Sequence, residues 1–502
     1  MKPISRRTFL RQCSAGALAL AAGAAPPLGT TGTAKASSTV RVFWSRAAEA
    51  GRTTALNIGS RRELFVDDFL FESMTGAELK LHQPEPRDVA LVCDQPWEGN
   101  TSAYYAILRA DDRFRMYYRG SHFDEKAKQA AHPEFACCAE SRDGLKWEKP
   151  EWGLFEFNGS KRNNIIWTGA GTHNFTPFKD GHPACAPDAR YKALAGGTTT
   201  LDGKKKSCLN ALKSADGVRW TLMADAVITA GAFDSQNLAF WDAERGHYRA
   251  YWRIFSAGVR AIRTATSKDF IHWENQADLQ YADSPNEHLY TNAIQAYCRA
   301  PHLLIGFPTR FYPKTQQVEP VFMTSRDGVL FRRWSEALIP PTAPKDRGGN
   351  RSNYMAWGLL QLPGNDRELS SYATEAYYTG PGSRVRRFTF RTDGFVSVRA
   401  EGEGTLSTRP LTFTGSNLSL NIASKGPTRV ELQDAGGNPL PGFALDDCAP
   451  ITGDFIDHVA EWKGGADLGK LAGRSVRLRF VLKDADLFSM CFRAAPDRER
   501  RP

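Results

Sequence analysis

Polar residues that could bind or cleave a sugar recur in five clusters along the middle of this 502-residue chain. The clusters occupy residues 97–102, 173–180, 233–237, 286–292 and 347–353. Cleavage of a glycosidic bond requires two carboxyl groups across that bond, one acting as an acid and the other as a base or nucleophile. We expect this chemistry from Asp234, Glu287 and Glu98.

Asp234 and Glu287 are the preferred pair, because each precedes a short apolar segment typical of a strand, 238–241 and 293–297 respectively. Glu287 is expected to protonate the leaving oxygen, with Asp234 or Glu98 as base or nucleophile. Glu98 also follows an aromatic residue, Trp97, that can floor a sugar site. The alternative for each carboxylate is that it caps a turn or pairs with a nearby arginine.

The remaining polar side chains of the clusters, with Arg310, are candidates for substrate binding. Buried polar groups need hydrogen-bond partners. Polar residues at the same point of every cluster therefore favour a water-filled channel over an apolar core. The predicted binding residues are Trp97, Asn100, His173, Asn174, Asp180, Gln236, His288, Tyr290, Asn292, Arg310, Arg347 and Asn353. Arg310 and Arg347 suit an anionic sugar group, with surface salt bridges as the alternative.

Metal chemistry is not indicated by the histidines or the cysteines. Single histidines such as His173 and His288 are more typical of hydrogen bonding than of metal ligation. The nine cysteines contain no C-x-x-C pair, and a Cys185–Cys208 disulfide is left open. No cofactor or metal is therefore predicted, although a structural calcium ion in the channel is also left open.

A turn motif repeats between these clusters and indicates the elements that position them. Copies of Ser-x-Asp-Gly followed by an aromatic residue, some of them incomplete, occupy residues 141–147, 214–220, 267–273 and 325–331, with a weaker copy at 391–395. Ser and Asp bond to nearby backbone, and Gly supplies a positive φ. Starting points 53 to 73 residues apart fit the blades of a β-propeller, each copy joining the last two strands of a blade.

Alternating strand patterns precede the turns, again five times, at residues 113–118, 190–194, 247–252, 302–306 and 369–372. They predict an all-β fold with a five-bladed β-propeller at residues 60–398. Residues 63–70 are expected to close the ring by joining the last blade. Residues 399–495 lack the repeat and predict an antiparallel β-sandwich, followed by a charged tail at 496–502.

The first 36 residues predict a twin-arginine signal peptide. Arg6 and Arg7 precede an apolar segment at 15–25, and residues 34–36 form an A-x-A cleavage site before a linker at 37–59. That apolar segment is shorter than the ~18 residues needed to span a bilayer. We therefore expect a periplasmic or secreted protein without a membrane span.

The formal charge of +10 includes five basic residues and no acid in this leader. No long Lys/Arg run of the kind that binds phosphate backbones is present, so no nucleic-acid partner is predicted. The expected partner is a carbohydrate, and the expected state is a monomer.

With the blades in place, the chain resembles the five-bladed glycosidase superfamily that includes glycoside hydrolase families 32, 43 and 68. More narrowly, it resembles uncharacterised exported family 32-like proteins common in planctomycetes. The resemblance lies in residues 64–68, 115–120, 233–237, 393–398 and 472–480. It implies a propeller with a C-terminal sandwich and a glycoside hydrolase activity.

The acidic motifs of family 32, N-D-P-N, R-D-P and E-C, do not occur here as written. In terms of the resemblance, Glu98 stands roughly at the first position, Asp234 replaces a displaced second carboxylate and Glu287 stands for the acid. Two alternatives remain, a non-catalytic glycan-binding propeller and a sialidase-like hydrolase. Sialidases, however, use six blades and S-x-D-x-G-x-x-W turns.

Overall fold

A computed structural model describes residues 41–42, 54–282, 284–340 and 353–494. The predicted signal peptide at 1–36, the predicted tail at 496–502 and Arg347 lie outside this part, as does most of the predicted linker. In the described ranges nearly every regular element is a strand. The helical elements there are four short 3-10 turns, Thr172–Asn174, Pro187–Ala189, Leu445–Asp447 and Gly469–Leu471.

Six strands precede the first blade. They are β1 (Arg41–Val42), β2 (Leu56–Gly59), β3 (Glu63–Leu64), β4 (Phe71–Thr75), β5 (Glu78–Leu81) and β6 (Glu85–Val92). The first five pair with strands near the C-terminus or with one another, whereas β6 pairs with the last blade.

Three four-stranded antiparallel blades follow in chain order. Blade one contains β7 (Ala103–Ala110), β8 (Arg113–Gly120), an inserted hairpin of β9 (Phe123–Asp124) and β10 (Gln129–Ala130), then β11 (Phe135–Ser141) and β12 (Ile165–Thr168). Blade two contains β13 (Thr176–Lys179), β14 (Tyr191–Leu201), β15 (Lys204–Ser214) and β16 (Thr221–Ile228). Blade three contains β17 (Leu238–Asp242), β18 (His247–Ser256), β19 (Val259–Ser267) and β20 (Trp273–Asp278).

Blades four and five carry additions to the same plan. Blade four contains β21 (Gln280–Ala282) at its outer edge, β22 (Gln295–Tyr297), β23 (Ala300–Gly306), an inserted hairpin of β24 (Thr309–Tyr312) and β25 (Gln317–Pro320), then β26 (Met323–Ser325) and β27 (Leu330–Arg333). Blade five contains β28 (Glu368–Glu375), β29 (Arg384–Arg391) and β6. Its inner segment bridges to β28 at Met355 and Leu360.

The prediction of a five-bladed propeller is confirmed, but the predicted closing strand is wrong. The ring closes through β6, which pairs antiparallel with β29 from Val92 opposite Arg384. Residues 63–70 instead lie against the C-terminal domain, where β3 pairs with the last strand of the chain. Phe65 and Leu70 are buried in the core of that domain, which explains why this segment does not enter the propeller.

The C-terminal region contains β30 (Val396–Thr408), β31 (Leu411–Phe413), β32 (Asn417–Gln433), β33 (Ile451–Val459) and β34 (Arg477–Arg493). Register shifts interrupt the long strands, between Ala400 and Glu403 in β30 and between Ser424 and Arg429 in β32. Such shifts bend strands and increase their twist. The bent sheet surrounds its own apolar core, in an arrangement compatible with the predicted sandwich.

The repeated turns have the predicted chemistry. At Ser141, Ser214, Ser267 and Ser325 the hydroxyl accepts a hydrogen bond of 2.8–2.9 Å from the backbone N–H three residues later. The Asp of each copy accepts bonds from two further backbone N–H groups. Each turn is therefore stabilised by its own hydrogen bonds, independently of the rest of the blade.

Tyrosines of the second strands join neighbouring blades through these turns. The hydroxyl donates to a turn carbonyl of the adjacent blade in three pairs: Tyr117 to Gly217 at 3.0 Å, Tyr251 to Gly328 at 3.0 Å and Tyr372 to Gly144 at 2.6 Å. In blade four, Tyr297 at the end of the inner strand β22 donates to the Asp393 carboxylate at 2.6 Å. The turn repeat thus also sets the packing of blade on blade.

The eight cysteines of the described ranges are all free. The Cys185–Cys208 disulfide that the sequence left open is therefore not formed. Most of these thiols are buried, and Cys137 and Cys138 occupy opposite faces of β11 as small core residues.

Candidate functional site

A pocket of about 710 Å³ opens beside the starts of the inner strands. Its walls include His173, Asn174, Asp234, Arg253 and Phe255, together with backbone at several glycines. This volume is within the range of ligand-binding clefts. Because the first strands of all blades converge on the channel, this position brings distant segments of the chain together.

Asp234 is the one predicted catalytic carboxylate that lines this pocket. Its side chain is 48% exposed and forms an ion pair with the guanidinium of Arg253. Its backbone carbonyl accepts a hydrogen bond of 3.3 Å from the Tyr104 hydroxyl. Asp234 thus presents a solvent-accessible carboxylate whose position is held from two sides.

A second carboxylate, Glu134, contacts His173, a residue of the pocket wall. Its Oε2 lies 2.9 Å from His173 Nδ1, and its Oε1 lies 3.5 Å from the Arg119 guanidinium. Burial opposes ionisation of Glu134, but the bond to His173 and the charge of Arg119 outweigh it and lower its pKa to about 2. Glu134 is therefore a carboxylate throughout the physiological pH range.

His173 lies between this carboxylate and a buried arginine. Arg119 is only 4% exposed, and its Nη1 lies 2.9 Å from His173 Nδ1. Burial and the charge of Arg119 lower the pKa of His173, against the opposing effect of Glu134. Burial next to Arg119 therefore favours the neutral imidazole.

Four tyrosines from three blades cluster next to the pocket residues His173 and Arg253. Tyr290 lies 5.7 Å from Tyr354, and Tyr354 lies 5.8 Å from Tyr377, measured between ring centroids. Tyr377 accepts a hydrogen bond of 3.0 Å from Arg119, which also lies over the Tyr104 ring at 5.1 Å. With His173 and Asp234, the cluster includes side chains from all five blades.

Tyr104 is held in a strained conformation, with a φ of 59°. Burial, together with Tyr290 and Tyr377, raises its pKa well above the ordinary value of 10. Strained backbone persists only where the surroundings over-determine it, and such residues concentrate at functional sites. The strain at Tyr104 is consistent with a site at this mouth.

Glu98 does not line the pocket. Its side chain is fully enclosed in blade one, where Lys149 donates to Oε2 at 2.6 Å and Tyr118 donates to Oε1 at 2.5 Å. Burial raises the pKa of Glu98, against the opposing effect of Lys149. The neighbouring Trp97 donates to Asn164 at 2.7 Å and packs edge-on against Phe157. Glu98 and Trp97 therefore form contacts that stabilise blade one.

Glu287 lies in blade four among arginines rather than beside Asp234. Its carboxylate is 2.9 Å from Arg333 and 3.4 Å from Arg310. Arg310 also pairs with the buried Glu319 at 2.5 Å. Glu287 and Arg310 therefore occupy an ion-pair network, which corresponds to the alternative given for each of them from the sequence.

Three predicted binding residues form hydrogen bonds between segments of the inner ring. Asn174 donates to the Ser235 carbonyl at 2.9 Å, Gln236 donates to the Tyr105 carbonyl at 3.1 Å, and Asn292 donates to the Gln236 carbonyl at 3.5 Å. Of the three, Asn174 also lines the pocket. These amides supply the partners that buried backbone groups require.

Asp180 is enclosed at the end of β13, where it pairs with Lys192 and accepts from Tyr248 at 2.6 Å. These bonds outweigh burial and lower its pKa. Lys192 corresponds in its strand to Arg115 and Arg249, which likewise pair with acids of their own blades. Asp180 therefore belongs to a repeated structural ion pair.

The other predicted binding residues have different surroundings. Asn100 exchanges hydrogen bonds with the backbone of Phe123. His288 accepts from the Arg260 N–H at 3.1 Å, Asn353 is buried, and Tyr290 alone of this group belongs to the tyrosine cluster.

Sequence reasoning missed Arg119, Glu134, Arg253 and three of the tyrosines. A signal for the arginines was present, because β8 and β18 share the pattern Arg-x-x-x-Arg, at 115 and 119 and at 249 and 253. Blade two has Gly196 at the equivalent position, and Gly196 lines the pocket. The absent side chain leaves space on that side of the channel.

Among the described residues, no group of three or more His, Cys, Asp or Glu side chains is arranged to hold a metal ion. In the same ranges, no helix has the length and apolar character to cross a membrane.

Comparisons with known proteins give structural matches only. No family model matches the sequence, and no curated protein matches it. A family 32 β-fructofuranosidase from Bombyx mori has 10% identity and a TM-score of 0.40, covering 83% of this chain and 94% of that chain. A β-1,2-mannobiose phosphorylase from Listeria innocua has 12% identity and a TM-score of 0.41, covering 62% and 97%.

An N-acetylgalactosamine deacetylase from F. plautii has 12% identity and a TM-score of 0.43, covering 62% of this chain and 95% of that chain. The matches thus include a glycoside hydrolase of family 32, one of the families that the sequence resembles. Similarity at this level does not define an activity, and the resemblance to planctomycete proteins stays a prediction.

Proposed function

We propose that the protein is an exported, glycan-acting enzyme that cleaves a glycosidic bond at the channel mouth, with Asp234 and Glu134 as its carboxyl groups. The observation that carries the proposal is the position of Asp234. It is an accessible carboxylate on a pocket of about 710 Å³, next to a tyrosine cluster and a second carboxylate. Paired carboxyl groups and aromatic surfaces are what glycosidic cleavage requires.

The two carboxyl groups differ in their surroundings, and we assign their roles accordingly. Glu134 is kept ionised by His173 and Arg119 and acts as base or nucleophile. Asp234 is then the remaining carboxyl group for the role of proton donor to the leaving oxygen, and it must take up a proton against the charge of its partner Arg253.

A non-catalytic glycan-binding propeller is the second candidate. It is favoured by one observation: each pocket carboxylate is already paired with an arginine, Asp234 with Arg253 and Glu134 with Arg119. Paired carboxylates can hold sugar hydroxyls without taking part in proton transfer. The sialidase-like alternative is not favoured, because the ring has five blades.

Reducing-sugar release from a panel of plant and algal polysaccharides tests the proposal. Asp234→Asn and Glu134→Gln should each lower the rate about a hundredfold or more, as loss of a positioned acid or base does. Asp278→Asn is the matched control, because Asp278 has a similar exposure and also pairs with an arginine, at 2.6 Å, on the outer strand of blade three. It should retain wild-type activity.

Three outcomes would contradict the assignment. Binding without release by the wild-type protein would favour the glycan-binding candidate. Full activity in both Asp234→Asn and Glu134→Gln would place the chemistry elsewhere. A loss with Glu287→Gln as large as that with Asp234→Asn would restore the sequence-based pair.

Export is proposed from the leader sequence, which lies outside the described residues. Fractionation of cells that express the full chain should place the mature protein outside the cytoplasm, beginning near residue 37. The paired substitution Arg6→Lys and Arg7→Lys should retain the precursor inside the cell. Equal export of both forms would contradict the twin-arginine assignment.

A further inference from the structure

The pocket contains a buried arginine with unused hydrogen-bond donors. Arg253 is 3% exposed and lines the pocket, and its Nη2 pairs with Asp234. In the part of the chain that the structure describes, its Nε and Nη1 have no hydrogen-bond acceptor. A buried charged group with unsatisfied donors is costly, so such a group in a pocket wall indicates a ligand acceptor.

Two aromatic rings and a second arginine surround Arg253 in the wall of the pocket. Its guanidinium lies over the rings of Tyr290, at 5.0 Å, and Phe255, at 5.5 Å. A second guanidinium, that of Arg260, lies over the same two rings at 5.4 and 5.6 Å. Two cations on shared aromatic faces create a positive region on this wall of the pocket.

We propose that Arg253 binds an anionic group of the glycan, a carboxylate or a sulfate ester, with Nε or Nη1, the donors that Asp234 leaves unpaired. The inference rests on the proposed function, because it assigns a substrate class to the same pocket. The Nε and Nη1 donors lie on different edges of the planar guanidinium, and either of them can form a charge-assisted hydrogen bond to an oxygen of such a group. The substrate class is therefore an acidic polysaccharide rather than a neutral one.

The inference also explains why Asp234 occupies only one edge of Arg253. The carboxylate takes Nη2 and fixes the plane of the guanidinium, which leaves Nε and Nη1 for the ligand. Gly196 contributes backbone instead of a side chain on the blade-two side of this pocket. The anionic group of the sugar and its scissile bond would then lie within one cavity, next to Asp234.

Affinity electrophoresis in native gels tests the inference with matched pairs of polymers. The pairs are polygalacturonate and its methyl ester, alginate and its propylene glycol ester, and carrageenan and its desulfated form. The wild-type protein should be retarded more by an acidic member than by its neutral partner. The pair that shows this difference distinguishes a carboxylate from a sulfate ester.

Two variants separate specific binding from the general attraction of a basic protein to polyanions. Arg253→Gln should weaken binding about tenfold to a hundredfold, as expected for the loss of a charge-assisted hydrogen bond. Arg249→Gln removes the same charge from the same strand, but Arg249 pairs with Asp242 away from the pocket. It should keep the wild-type affinity.

If Arg253→Gln does not fold, Arg253→Lys provides a second measurement, because lysine keeps the charge next to Asp234 but lacks the Nε and Nη1 donors. Equal losses in the Arg253 and Arg249 variants would overturn the inference. Equal retardation by acidic and neutral partners would overturn the substrate class and leave the proposed function standing. Retardation by no polymer in the panel would count against both.

Discussion

The Nδ1 atom of His173 lies 2.9 Å from the carboxylate Oε2 of Glu134, although 39 residues separate them in the chain. Glu134 precedes β11 of blade one, and His173 belongs to the 3-10 turn before β13 of blade two. The contact therefore joins two blades at the mouth of the channel. It lowers the pKa of Glu134, whereas the pKa of His173 is lowered by burial and by Arg119, against the opposing effect of Glu134.

This contact predicts a pH dependence of stability that Glu134→Gln should remove. The folded-state pKa of Glu134 is about 2, against an ordinary value of 4.5, so its ionised form stabilises the fold above pH 4.5. That contribution is lost as the pH falls from 4.5 towards 2. Urea unfolding of wild type and variant should show a difference in free energy at pH 7 that shrinks over this interval.

The lowered pKa of His173 acts in the same direction at higher pH. Its neutral form contributes stability above pH 6.5, and this contribution is lost as the pH falls below that value. His173→Gln should therefore reduce the slope of stability against pH just below 6.5. An unchanged slope would show that the imidazole environment in solution differs from the one described.

Glu98 should prove important for stability. Glu98→Gln leaves the Lys149 ammonium without its enclosed partner, and breaking a buried ion pair in this way costs about 3–5 kcal/mol. Asp94→Asn is the control, because Asp94 pairs with the same Lys149 but is 61% exposed. An exposed pair contributes less than about 1 kcal/mol. Similar unfolding free energies for the two variants would contradict this account.

The tyrosine links between blades can be tested by removing one oxygen at a time. Tyr372→Phe loses the 2.6 Å bond to the Gly144 carbonyl and should reduce stability by about 1 kcal/mol, in some contexts more. Tyr281→Phe is the matched control, because the Tyr281 hydroxyl is buried without a hydrogen-bond partner among the described residues. Its removal should be neutral or slightly stabilising. The reverse order of the two unfolding midpoints would contradict the links.

Alanine substitutions at two turn glycines should differ in their effect on stability, because the two positions have different surroundings. Gly217 and Gly203 both have positive φ, at 75° and 70°, so alanine is strained by about 1 kcal/mol at either position. A Cβ at Gly217 would also lie 2.6 Å from Arg115 Nη1 and 2.8 Å from the Tyr117 hydroxyl, whereas Gly203 is open. Gly217→Ala should therefore lower the thermal midpoint more than Gly203→Ala does.

Periodicity made the blades predictable from the sequence. The Ser-x-Asp-Gly turns are local, because each Ser and Asp bonds to backbone within three residues. The alternating strands before them are local as well. Local interactions produce patterns in consecutive residues, so the number of blades and the identity of their second strands could be predicted from the sequence.

Closure of the ring was not predictable in the same way. Residues 63–70 and β6 both have the character of strands, and which of them joins β29 depends on where Phe65 and Leu70 are buried. That choice is made by the C-terminal core, more than 300 residues further along the chain. A pattern in one segment holds no information about a partner so distant.

The sequence by itself determined the all-β class, the five blades and the general position of a polar mouth where the inner strands begin. Only the tertiary structure decided which acids face that mouth. Glu98 and Asp234 both precede inner strands, yet Glu98 lies between Lys149 and Tyr118, whereas Asp234 opens onto the pocket. The physical reason is that strand periodicity places a side chain along its blade, whereas residues distant in the sequence, such as Lys149 for Glu98, decide whether that side chain meets a partner or solvent.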